Sequence, residues 1–202
     1  WIETRAQISA DGWILTGEKA CVPAGEGVDG YIVSARFEGK PHESEGLGIW
    51  LLPADLPGLT HAPWKMVDGS SAVCLSLHDV RVPADYRLLG DMASIERAQA
   101  VAQLARAAEA VGIMERMFTE TIEYLRTREQ FGAKLSSFQA IQHRMVAQYA
   151  IKEQLRGLLN LAIVSWDKPQ FDRAASGVNS FLSLKGLQFG HDMIQFHGGM
   201  GV

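Results

Sequence analysis

The sequence predicts an α+β protein, with a small β-barrel or sandwich over residues 1–90 followed by an antiparallel helical bundle over residues 91–202. Three observations carry this reading. Prolines at positions 41, 53, 57, 63 and 83 punctuate the first part and forbid long helices there. After Ser94 no proline occurs until Pro169. The apolar residues of the second part recur three and four apart, the period of a helix with one buried face.

Each element follows from local signals. Asp11-Gly12 is a turn signal, followed by the short run Trp13-Ile14-Leu15 and then Gly17. Tyr31-Ile32-Val33-Ser34-Ala35 is a second strand, and Leu47–Leu52, ended by Pro53, a third. Val73–Leu77 alternates large and small residues as a half-buried strand does. The boundary falls between Leu88 and Ser94, where Ser94 reads as the N-cap of a first long helix. Val101, Leu104, Ala105, Ala108, Val111 and Gly112, then Phe118, Ile122 and Leu125, form its apolar stripe. A break at Gly132–Ser137 precedes a second helix from Ser137 to Trp166, with Ile141, Met145, Tyr149 and Leu155 expected inside. A third runs from Phe171 to Phe196 and stops at Gly198-Gly199. Three long helices in antiparallel order make a bundle.

Composition narrows the function. A net charge of −4 over 202 residues disfavours a nucleic-acid surface. Arg126, Arg128 and Lys134 cluster, but Glu120, Glu123 and Glu129 are interleaved with them, the pattern of a solvated helix face. Cys21 and Cys74 have no histidine at ligand spacing, and His143 and His197 lie far apart, so no metal site is expected. A disulfide between the two cysteines stays open, and a reducing, cytoplasmic compartment is the simpler reading. No apolar run reaches the ~18 residues of a membrane span. Trp1–Arg5 lacks the basic and apolar regions of a signal peptide. The chain starts without Met and stops inside a Gly-rich turn, so it reads as a fragment.

Four segments carry a family resemblance. Asp11-Gly12-Trp13-Ile14-Leu15-Thr16-Gly17-Glu18-Lys19 is the first. Leu77-His78-Asp79-Val80-Arg81-Val82-Pro83, with Leu89-Gly90 beyond, is the second. The third is Tyr124-Leu125-Arg126-Thr127-Arg128-Glu129-Gln130-Phe131-Gly132, continuing to Phe138-Gln139-Ala140-Ile141-Gln142-His143. The fourth is Gln195-Phe196-His197-Gly198-Gly199-Met200-Gly201. In this order and spacing they resemble the acyl-CoA dehydrogenase family, nearest its pimeloyl-CoA dehydrogenase small-subunit type. The resemblance implies FAD-dependent oxidation of an acyl-CoA thioester to the α,β-enoyl-CoA, with electron-transfer flavoprotein or a similar acceptor taking the electrons. It also implies a homo- or hetero-tetramer with FAD at a subunit interface, and an N-terminal helical domain absent from this sequence.

The same resemblance assigns roles. Arg128 matches the arginine that reaches the FAD diphosphate of a neighbouring subunit, and a planar guanidinium suits paired, charge-assisted bonds to phosphate oxygens. Taken alone, an arginine at a helix end is ordinarily solvated. Gln130 matches a hydrogen-bonding position on the cofactor, and Phe131 one that packs on its adenine half. Gly132 lets the chain turn sharply. Phe138 and Gln139 match positions beside the adenine and ribose. Gln195 and Gly199 match positions that touch the adenosine phosphate region from another subunit, with Gly198-Gly199 permitting close backbone approach.

The catalytic base is not identified in this chain. The reaction needs a carboxylate to remove the α-proton while flavin N5 accepts hydride from Cβ. The usual glutamate of the family lies beyond the fourth segment, past Val202. The alternative position on the first long helix is Ala102, which cannot take a proton. Glu109, seven residues on, shares that helix face but reads as a bundle or interface carboxylate. Cys21-Val22-Pro23 stands where the family has Trp-Ile-Thr or Trp-Ile-Ser, and proline offers neither the hydroxyl nor a backbone N–H. These departures favour a second reading, a non-catalytic subunit that completes the FAD site of a partner in a heteromeric dehydrogenase.

Overall fold

In the computed structural model, which describes residues 2–201, seven strands form one sheet. They are β1 (Arg5–Ser9), β2 (Gly12–Pro23), β3 (Gly30–Arg36), β4 (Leu47–Pro53), β5 (Leu59–Lys65), β6 (Ser71–Pro83) and β7 (Arg87–Leu88). Trp1, in the opening stretch weighed as a leader, and Val202, the last residue, lie outside the described residues. The order is β5-β6-β2-β1-β3-β4-β7. Among the described residues only β1 and β3 pair in parallel, at Arg5 and Arg36.

The sheet is curled rather than flat. β2 and β4 are three strands apart in the order, about 14 Å on a flat sheet at ~4.8 Å per strand. Yet Trp13 of β2 and Trp50 of β4 meet edge to face with ring centroids 5.4 Å apart. One core therefore collects Leu15, Val33, Trp50, Leu52, Leu75 and Val80 from strands across the sheet. All four expected strand runs lie within β2, β3, β4 and β6. The strands β1 and β5 were not foreseen. The latter tolerates Pro63 because it forms the sheet edge, where a missing N–H breaks no ladder bond.

The chain divides between Glu96 and Arg97 into two compact units, each described by itself. The division falls within the first turns of α1 (Met92–Thr127), and the second unit is built from the rest of that helix with α2 (Gln139–Val164) and α3 (Phe171–His197). Ser94 is not the N-cap of α1. It sits at the third helical position, and Asp91 takes the capping role: its Oδ1 accepts from the Ser94 N–H at 3.1 Å, while Ser94 Oγ accepts from the Asp91 N–H at 3.4 Å. The reciprocal pair is a capping box with serine in the usual glutamate place.

The buried stripe of α1 is Ala100, Leu104, Ala107, Val111, Met114, Phe118, Thr121 and Leu125. Its alternating steps of four and three are those of a helix seam. The expected stripe was displaced by one residue over its first half, where Ala105, Ala108 and Gly112 are exposed. On α2 the same spacing holds for Met145, Gln148, Lys152, Leu155, Leu159 and Ala162, while Tyr149 is exposed. Asn179 Nδ2 donates to the Gln103 carbonyl near the start of α1 and α3, and Thr121 meets His197 near their ends, so these two helices run parallel. Glu115 pairs with Arg156, and Leu125 and Met145 share the core, which sets α2 antiparallel to them.

Candidate functional site

The site is assembled where α1 and α3 end and α2 begins. Tyr124, in the last turn of α1, stacks on the His197 ring at 4.3 Å and donates its hydroxyl hydrogen to the His197 carbonyl at 3.2 Å. Thr121 Oγ1 lies 3.2 Å from His197 Nε2. These contacts fix the Gly198-Gly199 turn beside the start of the third sequence segment. Gly198 has φ 58°, a left-handed backbone that glycine adopts at little cost.

Beyond Thr127 the chain forms a two-residue hairpin between β8 (Glu129–Gln130) and β9 (Ala133–Lys134). Phe131 and Gly132 are its tip, with φ 58° and 78°, so both central residues are left-handed, as a type I′ turn requires. This hairpin was not foreseen, because phenylalanine is not a turn residue. Phe131 is 90% exposed, and its ring meets Phe138 edge to face at 6.3 Å. The ring is thus left outside the core by a backbone conformation that costs about 1–2 kcal/mol for a residue with a Cβ.

A cleft of about 480 Å³ opens here, lined by Arg128, Gln130, Arg144, Gln195, Gly198 and Gly199 together with Tyr124, Leu135, Ile141, Phe196, His197 and Met200. Four of the seven cofactor candidates from the sequence, Arg128, Gln130, Gln195 and Gly199, therefore face one space. The other three, Phe131, Phe138 and Gln139, lie outside its lining, on the hairpin tip and at the start of α2. The Arg128 guanidinium is exposed and has no hydrogen-bond or ion-pair partner among the described residues. Gln130 Nε2 donates to the Glu129 carbonyl at 2.8 Å. A Cβ added at Gly199 meets nothing within 4 Å, so its backbone stands open. Arg144 was missed by the sequence reading. It ends three residues after Ile141 on the same helix face, which was the available signal.

Ala102 is exposed on α1, and at 1.5 Å per residue it lies roughly 40 Å along the helix from Thr127. Cys21, Val22 and Pro23 lie on β2 and line a separate cleft of about 430 Å³ with Lys19, Tyr31 and Ser34. Burial lowers the Lys19 pKa from its ordinary 10.5, and its Nζ reaches Ser34 Oγ at 3.5 Å. Ala24, in the wall of this cleft, has φ 54°. Both cysteines are free thiols. Among the described residues no three His, Cys, Asp or Glu side chains are grouped to hold a metal ion, and no helix is long and apolar enough to cross a membrane.

A curled sheet followed by three long helices is the architecture of solved acyl-CoA dehydrogenase-type chains. The chain superposes with a TM-score of 0.92 on PigA with FAD and proline, at 25% identity, covering 100% of this chain and 54% of that one. It superposes at 0.84 on the ChsE4-ChsE5 complex from Mycobacterium tuberculosis, at 27% identity, covering 98% of this chain and 52% of that one. A probable acyl-CoA dehydrogenase of Bacillus subtilis, YngJ, is 32% identical over 210 residues, 98% of this chain and 54% of its own length. Residues 92–202 match the profile of the acyl-CoA dehydrogenase C-terminal domain. The chain belongs to the acyl-CoA dehydrogenase family. It spans about half the length of the curated relatives it matches.

Proposed function

We propose that this chain is part of an FAD-dependent acyl-CoA dehydrogenase, and that the cleft at the ends of α1 and α3 grips the diphosphate and adenosine half of the cofactor. The observation that carries the reading is Arg128: an unpartnered guanidinium sharing one cleft with two glutamine amides and an open Gly199 backbone. These groups fit a dinucleotide. The guanidinium supplies paired charge-assisted donors, the amides supply neutral donors and acceptors, and the glycine allows close approach. Phe131, left exposed at a left-handed tip, fits a ring that packs on the adenine. Gln139 and Phe138, at the start of α2, fit its flank.

Arg128, Gln130, Gln195 and Gly199 would hold the cofactor, and a bound flavin would supply the hydride acceptor for oxidation of an acyl-CoA thioester to the α,β-enoyl-CoA. The residues of this chain bind and orient. None of them is assigned as the base, since Ala102 carries no proton-accepting group. Electron-transfer flavoprotein or a similar acceptor takes the electrons, the assembly is a homo- or hetero-tetramer, and the compartment is the cytoplasm.

A second reading is favoured by one specific feature, Pro23 at the end of β2, which offers neither hydroxyl nor N–H to a flavin ring. In this reading the chain is a non-catalytic subunit that completes the FAD site of its partner. A solved relative that is named as a complex of two components gives the arrangement a precedent.

The test is Arg128→Ala in the complete protein with any partner subunit. FAD content after gel filtration should fall, with affinity lower by about tenfold or more, the usual loss for a charge-assisted phosphate contact. Unchanged flavin content refutes the cleft assignment.

A further inference from the structure

The cleft holds a second guanidinium that none of the four sequence segments brings in. Arg144 lies on the first turns of α2 and lines the same cleft as Arg128, Gln195 and Gly199. Its orientation is fixed on two sides. The guanidinium carbon sits 4.8 Å from the centre of the Phe196 ring, and Nη2 donates to Asp192 Oδ1 at 2.9 Å. Asp192 is itself held: its Oδ2 accepts from Gln148 Nε2 at 2.7 Å.

Gln148 shows that this arrangement is imposed. It is 7% exposed and sits on the buried seam of α2, where an apolar side chain packs without cost. Its Oε1 is buried with no hydrogen-bond partner. A buried orphan acceptor is unfavourable, so the amide is kept there by its bond to Asp192 rather than by its own environment. Asp192 takes one Nη2 hydrogen of Arg144. The other N–H groups of that guanidinium have no partner among the described residues. A half-exposed arginine anchored through a carboxylate, which a buried amide anchors in turn, is organised for a ligand rather than for the fold.

We infer that Arg144 is a second phosphate-binding guanidinium of the cleft, and that Asp192 and Gln148 are positioning residues that aim it. This rests on the reading of the cleft as a dinucleotide site. The ligand chemistry is a diphosphate, whose adjacent charges take one guanidinium from Arg128 and one from Arg144.

The experiment measures FAD affinity by flavin fluorescence titration of the complete protein. It compares Arg128→Ala, Arg144→Gln, Asp192→Asn and the double variant Arg144→Gln/Asp192→Asn. Each variant's fold is checked by its thermal midpoint. Arg144→Gln is expected to weaken FAD about tenfold and to flatten the salt dependence of binding. Asp192→Asn discriminates by sign. It removes a negative charge held 2.9 Å from a guanidinium of the cleft, so charge alone makes FAD bind tighter, whereas loss of aim makes it bind more weakly. Weaker binding in Asp192→Asn, with the double variant no weaker than Arg144→Gln alone, is the expected result. If Arg128→Ala weakens FAD and Arg144→Gln does not, the inference falls while the cleft reading stands. Unchanged affinity in both arginine variants refutes the cleft reading itself. Tighter binding in Asp192→Asn overturns the positioning role.

Discussion

Tyr124 and His197 lock the ends of two helices with one side chain each: the rings stack at 4.3 Å and the tyrosine hydroxyl donates to the histidine carbonyl at 3.2 Å. The carbonyl belongs to the last residue of α3, one of the acceptors a helix end leaves without a partner in its own backbone. The contact therefore caps α3 and sets the Gly198-Gly199 turn against the end of α1. Tyr124→Phe keeps the stack and removes the bond. It is expected to cost about 0.5–1.5 kcal/mol in denaturant unfolding and to weaken FAD retention by no more than a few fold. A loss of FAD as large as that of Arg128→Ala would show that Tyr124 contacts the ligand itself.

Phe131 is expected to trade stability for binding. Its left-handed backbone at a type I′ tip suits asparagine better than phenylalanine. Phe131→Asn should raise the unfolding free energy by about 0.5–1 kcal/mol while lowering FAD retention. Chemical denaturation beside flavin titration checks both halves. A variant that is neither more stable nor weaker in binding removes the functional explanation for the exposed ring.

Lys152 tests the helix seam. It is 9% exposed, donates to Glu153 Oε1 at 2.6 Å, and lies 5.1 Å from the Tyr149 ring centre and 5.6 Å from that of Phe118. Glu153→Ala leaves a nearly buried ammonium without its carboxylate and is expected to lower the urea midpoint. Lys152→Met, which fills the seam without a charge, is expected to be close to neutral or stabilising. The urea midpoints of the two variants decide the matter, and equal losses would contradict it.

Lys19 carries a pH signature. Burial lowers its pKa in the folded state, so the charged form is disfavoured there relative to the unfolded chain. Between the lowered folded value and the ordinary 10.5, the unfolded state binds more protons, and stability from this group rises with pH across that window. Lys19→Met removes the penalty. Its thermal midpoint should exceed that of the parent at pH 7, and the difference should shrink as pH approaches 10.5. A difference that grows with pH would reverse the sign of the argument.

The strands that bury one face were legible because alternation and turn residues mark them. The edge strand β5 was not, since only Leu59 of its seven residues is buried and Pro63 argued against it. On α1 the offset of the stripe has a simple cause: alanines occupy both the buried and the exposed face between Ala98 and Ala110, so composition does not choose between neighbouring registers. The polar seam residues Gln148 and Lys152 were invisible because polar side chains are read as surface. Of the candidate site, Arg128, Gln130, Gln195 and Gly199, which line one cleft, were named through the segments they sit in. Arg144 was not, because its significance lies in Asp192, forty-eight residues away in sequence.

The most direct measurement is a structure of the complete assembly with FAD bound, read at Arg128. The guanidinium is expected within ~3 Å of a diphosphate oxygen, in line with charge-assisted geometry, with the Phe131 ring against the adenine. A guanidinium directed into bulk water, with the nucleotide seated elsewhere, would contradict the assignment of the cleft.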